Sequence, residues 1–241
     1  MSRSPRYNIA KQAAVIVRDS TAGRVSYLHG GARQSVADEN GISLADYIHA
    51  MFDFLFQASA RDVLMIGCGG GTLATMLDRI GVRVTVVDID LRAFRIARKH
   101  FHFPKHIETH VADGARFLKR DPMKYDAIVL DAYIGHTIPL QFLRAPFLKS
   151  AKAHLKRGGM LLLNCTVADD EDRAPDDIAR TLKKIWRQVR VLDSDGWVDR
   201  NAVICAGVVR DLAPPLLRLR PARGAKKLER HIAAMEFRRL R

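Results

Sequence analysis

The chain has 241 residues, 48% of them hydrophobic, and a formal net charge of +14 from 40 Lys and Arg against 26 Asp and Glu. This length and apolar content suit a single domain of ordinary to large size with a substantial core. No apolar run approaches the roughly 20 residues of a membrane span, and the first residues lack the apolar core of a signal peptide. We therefore expect a soluble cytoplasmic protein with no membrane partner.

The cysteines and histidines indicate no metal site. Cys68, Cys165 and Cys205 are odd in number, far apart and without CxxC spacing, which argues against a disulfide framework or a zinc site. We expect them to be small buried hydrophobic residues. The histidines between residues 100 and 110 are interrupted by Pro104, so they do not share one helix and are expected to be surface residues.

Residues 1–58 are predicted to form a short β-hairpin and a lead-in helix. The segment "AAVIVRDSTAGRVSYLHGG" has two short apolar strands around a Thr-Ala-Gly-Arg turn. The helix follows in "SLADYIHAMFDFLF", where apolar residues recur at helical spacing.

Residues 59–212 alternate strand and helix patterns and predict the main domain. Continuous apolar runs such as "DVLMIG", "VRVTVVDID" and "YDAIVLDAY" alternate with helical segments such as "GTLATMLDRIG", "LRAFRIARKHF" and one around "PLQFLRAPFLKSAKAHLKRGG". This order predicts an α/β fold with a doubly wound, mostly parallel, seven-stranded sheet. The last two strands, "VRVLDSD" and "NAVICAGVV", are predicted to form an antiparallel edge hairpin.

Residues 213–241 form a basic C-terminal tail with nine Lys and Arg from Leu216 onward against Glu229 and Glu236. Such a segment could bind nucleic acid through counterion release. The favoured interpretation is a solvated tail with a short terminal helix in "KKLERHIAAMEFRRLR", because charge runs are commonly solvated.

Polar residues and glycines follow the apolar cores of four parallel strands, where ligands sit in open parallel sheets. Glycines allow a close backbone approach to a ligand, and a carboxylate after the second strand can accept both ribose hydroxyls of a nucleoside. Asp90 is expected to start the next helix. The candidate ligand-binding residues at these strand ends are Gly67, Gly69, Gly70, Gly71, Asp88, Asp113, Gly114 and Asp131.

A dinucleotide is a less favoured ligand. Its fingerprint requires glycine at the first, third and sixth positions of the turn, and counting from Gly67 places Gly69 third but Thr72 sixth. A turn with a purely structural role is the remaining alternative.

The series "VLMIGCGGGTL", "VTVVDIDLRAFRIARKHF", "ETHVADGARFL" and "YDAIVLDAY" resembles the spermidine synthase group of the S-adenosylmethionine-dependent, Rossmann-like (class I) transferases. The upstream segments "YLHGGARQS" and "YIHAM" are also similar to that family, so the resemblance covers roughly residues 24–165. The family's N-terminal β-domain is shortened here to about one hairpin, as in the bacterial spermidine synthase-like branch.

The resemblance implies roles for individual residues. Asp88 would hold the ribose diol, Asp113 with Gly114 would read the adenine, and Gln34 would lie near the nucleoside. Asp131 would be catalytic: it would position an amine and take its proton as nitrogen attacks the carbon next to the sulfonium. The implied co-substrate is S-adenosylmethionine or its decarboxylated form, with no metal. A homodimer through the N-terminal strands is the assembly that the resemblance suggests.

The sequence departs from the family pattern on the amine side of the site. Gly70 replaces an acid that relatives place within the glycine loop, and Ile134 and His136 stand where many relatives have a further acid. The relatives' "YHE" triplet aligns with residues 48–50, which keeps only its histidine, His49. We predict His49, Tyr133 and His136 as substrate-binding residues. Loops at strand ends often carry function.

These observations leave three hypotheses. The first is a spermidine synthase-like transferase that acts on a small-molecule amine or another nucleophile. The second is a class I methyltransferase, for which Gly70 is no defect. The third is a non-catalytic protein that binds nucleic acid through its basic tail and has inherited the fold.

Overall fold

A computed structural model describes residues 14–19, 23–29, 32–135 and 137–241. These residues form two β-sheets and the helices that cover them. The strands are β1 (Ala14–Asp19), β2 (Arg24–His29), β3 (Ala32–Asp38), β4 (Asp62–Ile66), β5 (Arg83–Asp88), β6 (Glu108–Val111), β7 (Tyr125–Leu130), β8 (Leu155–Val167), β9 (Val189–Asp193), β10 (Arg200–Gly207) and β11 (Glu236–Arg238). The helices are α1 (Asp46–Gln57), α2 (Thr72–Asp78), α3 (Leu91–His100), α4 (Gly114–Leu118), α5 (Ala145–His154), α6 (Ala174–Lys183) and α7 (Ala225–Ala233).

The main sheet has the strand order β11-β9-β10-β8-β7-β4-β5-β6. Strands β4 to β8 pair in parallel, whereas β10 pairs antiparallel with β8 and with β9. The predicted α/β class with a mostly parallel sheet and an antiparallel hairpin is confirmed. An eighth strand, β11, pairs with β9, so the hairpin lies one strand inside the edge.

The apolar runs form strands that are buried on both faces. Along β4, Val63 and Met65 pack into one core cluster, and Leu64 and Ile66 pack into the cluster on the opposite face. A parallel strand covered by helices on both sides requires such a continuous apolar run. Strand β4 also marks the topological switch point, because it pairs with β5 on one side and β7 on the other.

The N-terminal unit has one more strand than predicted. Strands β1 and β2 form the predicted antiparallel hairpin, and β3 then pairs antiparallel with β2. The segment Ala32–Asp38 contains Arg, Gln, Ser and Asp, so its sequence lacks the apolar run that would indicate a strand. Strand β3 has a direct role in the site, because it lies against the glycine loop after β4.

The predicted long helix between residues 139 and 159 is shorter in the structure. A 3-10 turn occupies Leu140–Leu143, and α5 begins separately at Ala145 with Pro146 in its first turn. Proline cannot donate to the carbonyl four residues earlier and its ring clashes with that carbonyl, so the helix cannot run through from residue 142. Strand β8 then begins at Leu155.

The C-terminal segment folds onto the main domain instead of extending as a solvated tail. The backbone N–H of Leu216 donates to the buried Asp53 of α1 (3.1 Å), and that of Ala222 donates to the buried Asp38 (2.8 Å). A terminal helix is confirmed over Ala225–Ala233 (α7), where it buries Leu228 and Ile232, but Glu236–Arg238 of the predicted helical segment forms strand β11 instead. All three cysteines are buried and unpaired, as expected. Among the described residues, no helix has the length and apolar character needed to cross a membrane.

Candidate active site

A cleft of about 3290 Å³ lies at the carboxyl ends of β4, β5 and β7, next to β3, α1 and α7. Small-molecule sites usually measure roughly 300–1,000 Å³, so this cleft has room for a nucleoside and a second reactant. The predicted site residues that line it are Gln34, Gly67, Gly69, Asp88, Asp113, Gly114, Asp131 and Tyr133.

The glycine loop after β4 brings the ends of β4 and β7 together. Gly67 has a φ of 103°, and a Cβ atom there would lie 2.0 Å from the carbonyl oxygen of Asp131. Gly71 has a φ of 69°, and its Cβ would lie 2.2 Å from the ring of Phe103. Both the left-handed backbone and the lack of space require glycine at these two positions.

Gly70 lies at the back of the loop, away from the cleft surface. Its N–H donates to the Ser35 hydroxyl of β3 (2.7 Å). A Cβ at Gly70 would lie 2.8 Å from the Ser35 Cβ and 3.0 Å from the Phe101 ring. The loop therefore has no acid here and no space for one unless Ser35 and Phe101 move.

Asp88 ends β5 and holds the glycine loop in place. One carboxylate oxygen accepts the N–H of Cys68 (2.7 Å), and the other accepts the N–H of Asp90 (2.8 Å). A carboxylate has about four acceptor positions, so Asp88 keeps capacity for a ligand hydroxyl beyond its backbone donors. Burial raises the pKa of Asp88, and these backbone hydrogen bonds partly oppose that shift. Asp90 caps the N-terminus of α3, as expected.

Asp113 and Gly114 form the start of α4 on the same side of the cleft. One Asp113 oxygen accepts the N–H of Arg116 (2.9 Å), and the other accepts the side-chain amide of Gln141 (2.7 Å). A Cβ at Gly114 would lie 2.4 Å from Cγ2 of Ile66, so glycine allows α4 to pack against β4. Gln141 was not predicted, because the contact depends on the 3-10 turn that replaces a continuous helix.

Asp131 follows β7 and has two side-chain donors. Nδ2 of Asn164 donates to Oδ1 (2.8 Å), and the Tyr47 hydroxyl donates to Oδ2 (3.3 Å). Asn164 is itself buried and fixed by the side-chain amide of Asn201, which donates to its Oδ1 (2.9 Å). Burial raises the pKa of Asp131, whereas the two donors lower it. The arrangement provides an oriented carboxylate that is more basic than an exposed one.

Comparisons with known proteins give sequence relatives of two kinds, a methyltransferase domain and polyamine aminopropyltransferases. A family model described as a methyltransferase domain matches residues 63–159. The chain is 26% identical over 168 residues to a probable polyamine aminopropyl transferase of Bifidobacterium longum, which covers 68% of this chain and 38% of the relative. It is 32% identical over 181 residues to polyamine aminopropyltransferase 2 of Pseudomonas aeruginosa, which covers 69% of this chain and 50% of the relative. The chain thus spans half or less of these two relatives.

The same architecture occurs in a solved structure. A probable spermidine synthase from Corynebacterium glutamicum superposes with a TM-score of 0.74 at 18% identity, covering 100% of this chain and 92% of that one. The chain has a spermidine synthase-like, class I fold. The resemblance seen in the sequence is therefore confirmed at the level of the fold.

Within this spermidine synthase-like fold, Tyr133 faces the cleft with its hydroxyl already engaged. The hydroxyl donates to the backbone carbonyl of Asn164 (2.8 Å) and accepts the N–H of Thr166 (3.0 Å). Burial, together with the charge of Asp131, raises the pKa of Tyr133. The Tyr133 side chain lines the cleft, and its contact with a substrate stays a prediction.

The structure places His49 in the core, so its assignment to the substrate site is corrected. His49 is fully buried, and its Nε2 donates to the carbonyl of Ser43 (2.8 Å). Burial lowers the pKa of His49. Tyr47 lines the cleft instead, because residues two apart on a helix point in different directions. The third predicted substrate residue, His136, lies outside the described residues.

The C-terminal segment supplies one wall of the cleft. His231 of α7 lies with its Nδ1 3.8 Å from a carboxylate oxygen of Asp46, the residue before Tyr47. The Trp197 ring meets the His231 ring edge-on, with centroids 4.4 Å apart. Lys227 lines the same wall. Lys227 and His231 were not predicted as site residues, because residues 213–241 were expected to be solvated.

No metal centre is evident in the parts of the chain that the structure describes, where no three His, Cys, Asp or Glu side chains are grouped to hold an ion. The neighbouring histidines have separate partners: Nε2 of His106, in the connection from α3 to β6, lies 2.6 Å from Asp78, and Nε2 of His110 in β6 lies 2.7 Å from Glu108.

Proposed function

We propose that the chain is a transferase that binds an S-adenosyl sulfonium compound and transfers a group from its sulfonium to an amine held by Asp131. The observation that carries this proposal is the Asp131 carboxylate. It is oriented by Tyr47 and Asn164 and lines the same cleft as Asp88 and Asp113.

The nucleoside would occupy the side of the cleft formed by β5 and α4. Asp88 would accept the ribose hydroxyls, Asp113 and Gly114 would bind the adenine, and Gln34 would contact the nucleoside from β3. This assignment is supported by the exposure of all four residues to one cleft and by the class I fold. It leaves the sulfonium close to the glycine loop and Asp131.

Asp131 would act in three ways during transfer. Its carboxylate accepts a hydrogen bond from the amine, aligns the nitrogen lone pair with the carbon next to sulfur, and takes the amine proton. The N–C bond forms as the C–S bond breaks, and the sulfonium leaves as a neutral thioether. A carboxylate whose pKa is raised by burial is a better proton acceptor than an exposed Asp.

Two transferred groups fit this chemistry, and each has its own support. An aminopropyl group, which requires the decarboxylated co-substrate, is supported by relatives named polyamine aminopropyltransferases. A methyl group is supported by the match to a methyltransferase domain and by a glycine loop without an acid at Gly70. The nucleoside product separates them: methylthioadenosine forms in the first reaction and S-adenosylhomocysteine in the second.

The test combines binding and turnover. Calorimetry with S-adenosylmethionine, its decarboxylated form and methylthioadenosine should show binding of at least one of them. Asp131→Asn should reduce turnover about 100-fold or more, the usual loss for a positioned general base, and change nucleoside affinity less than twofold. If none of the three ligands binds, the enzyme proposals fail and the non-catalytic alternative is favoured. An unchanged rate in Asp131→Asn would remove this residue from the mechanism.

A further inference from the structure

Two arginines lie on the β2–β3 side of the cleft, next to the glycine loop. Strands β2 and β3 contribute Arg24 and Arg33 to the cleft lining. Among the described residues, neither these two strands nor the loop between Gly67 and Leu73 contributes a carboxylate to that lining. The guanidinium groups from these strands would attract a ligand carboxylate that lies next to β2 and β3.

Arg33 is the better placed of the two cations. It precedes Gln34, whose carbonyl oxygen would lie 3.2 Å from a Cβ at Gly69, so β3 runs directly against the glycine loop. Arg24 forms an ion pair with Asp19 (3.3 Å). Arg33 is exposed and forms no ion pair with any other residue that the structure describes. Its guanidinium is available to a ligand in the cleft.

The backbone from Gly67 to Gly71 has few N–H groups left for an anion. The N–H of Gly67 donates to Val87 and that of Gly71 donates to Cys68. The N–H of Cys68 and the N–H of Gly70 are taken by side chains, as described above. Four of the five loop N–H groups are therefore used internally. An anion over this loop would therefore gain from a charged side-chain donor nearby.

We propose that Arg33 binds the carboxylate of S-adenosylmethionine, and that the co-substrate of this protein therefore keeps its carboxylate. The inference rests on the proposed function, which places the nucleoside between Asp88 and Asp113. From there the amino-acid end of the ligand must pass over the glycine loop, toward β3. Arginine suits this role because its planar guanidinium can donate two parallel hydrogen bonds to one carboxylate.

A carboxylated co-substrate decides which groups can be transferred. Attack of the amine on the methyl carbon breaks the methyl–sulfur bond, gives a methylated amine and releases S-adenosylhomocysteine. Attack on the first carbon of the amino-acid chain breaks that C–S bond, transfers a 3-amino-3-carboxypropyl group and releases methylthioadenosine. In both reactions the amine proton passes to Asp131. Aminopropyl transfer is excluded under this inference.

The test is calorimetry of the full chain with the same three nucleosides, comparing wild type, Arg33→Gln and Arg33→Lys. Arg95→Gln, an exposed arginine of α3 that lies outside the cleft lining, is the matched control. We expect wild type to bind S-adenosylmethionine at least tenfold more tightly than its decarboxylated form. Arg33→Gln should weaken S-adenosylmethionine about tenfold and change the other two less than twofold. Arg33→Lys should keep part of the affinity, and Arg95→Gln should match wild type.

The outcomes separate the two proposals. Tighter binding of the decarboxylated form, or an equal loss for all three ligands in Arg33→Gln, would overturn the role of Arg33 while leaving an adenosyl site. Absence of binding by all three ligands to wild type would instead reject the proposed function itself.

Discussion

Tyr47→Phe tests whether the hydrogen bond from α1 to Asp131 tunes the reaction. The substitution removes one hydroxyl, which lies 3.3 Å from Oδ2 of Asp131, and keeps the ring that packs in the core. Asn164 remains as the second donor to the carboxylate. The perturbation is therefore confined to a single hydrogen bond at the proposed base.

The expected loss is modest at neutral pH and larger in acid. A hydrogen bond to a charged group contributes about 1.5–3 kcal/mol, and the long distance here favours about 1 kcal/mol, or roughly a fivefold lower kcat/KM. The Tyr47 hydroxyl lowers the pKa of Asp131, so its removal should raise that pKa further. Because the base must be ionised, the acid limb of the pH–rate profile should move to higher pH in Tyr47→Phe.

The assay is kcat/KM for the amine as a function of pH, followed through the nucleoside product. Tyr125→Phe is the matched control, because the Tyr125 hydroxyl donates to Asp121 (2.6 Å) at the opposite end of the same strand, β7. The control should keep the wild-type profile. A Tyr47→Phe enzyme whose acid limb coincides with that of wild type would refute the proposed coupling, even if its rate were lower.

Three further substitutions test the loop, the nucleoside site and the C-terminal segment. Gly67→Ala should abolish nucleoside binding and lower the melting temperature, because the added methyl group would lie 2.0 Å from a backbone oxygen. The control is Gly81→Ala, where φ is also positive (76°) but the surrounding space is open, so the variant should lose only about 1 kcal/mol of stability. Asp88→Asn should weaken all three adenosyl ligands about tenfold in calorimetry, since it removes a charged acceptor. Arg238→Met should lower the unfolding free energy in urea by about 3 kcal/mol, because it leaves the buried Asp176 without its ion pair. The Arg238 guanidinium lowers the pKa of Asp176. The ion pair therefore stabilises wild type above about pH 4, and this stabilisation is lost as the pH falls through the lowered pKa. The difference in unfolding free energy between wild type and Arg238→Met should shrink in acid.

The strand ends of the sheet were predictable because two independent signals coincide there. Continuous apolar runs located β4, β5 and β7, and the topology of a parallel sheet requires their carboxyl ends to meet at one edge. Gly67, Asp88 and Asp131 could therefore be placed in one cleft without any knowledge of side-chain contacts. The structure brings them together as expected.

The partners of Asp131 were not predictable in the same way. Tyr47 comes from a helix in the lead-in segment, and which of its residues faces the cleft depends on how α1 is rotated about its axis. Alignment to the family triplet favoured His49, whereas packing against the core turns His49 inward and Tyr47 toward Asp131. Asn164 lies within an apolar strand. A polar residue in such a run indicates a buried, hydrogen-bonded side chain, but the sequence does not indicate which residue is its partner.

The positive charge of the C-terminal segment led to the wrong prediction of a solvated tail, because the acidic partners of its arginines were not considered. Asp53 stands in the apolar segment "HAMFDFLF" of α1 and is fully buried, so it requires donors from elsewhere in the chain. The segment supplies them: the N–H of Leu216 and the guanidinium of Arg218 both bind Asp53. An acid in the middle of an apolar helix was thus a signal that the basic segment packs back on the domain. Because the same segment places His231 and Lys227 along the cleft, its arginines hold a wall of the candidate active site in position.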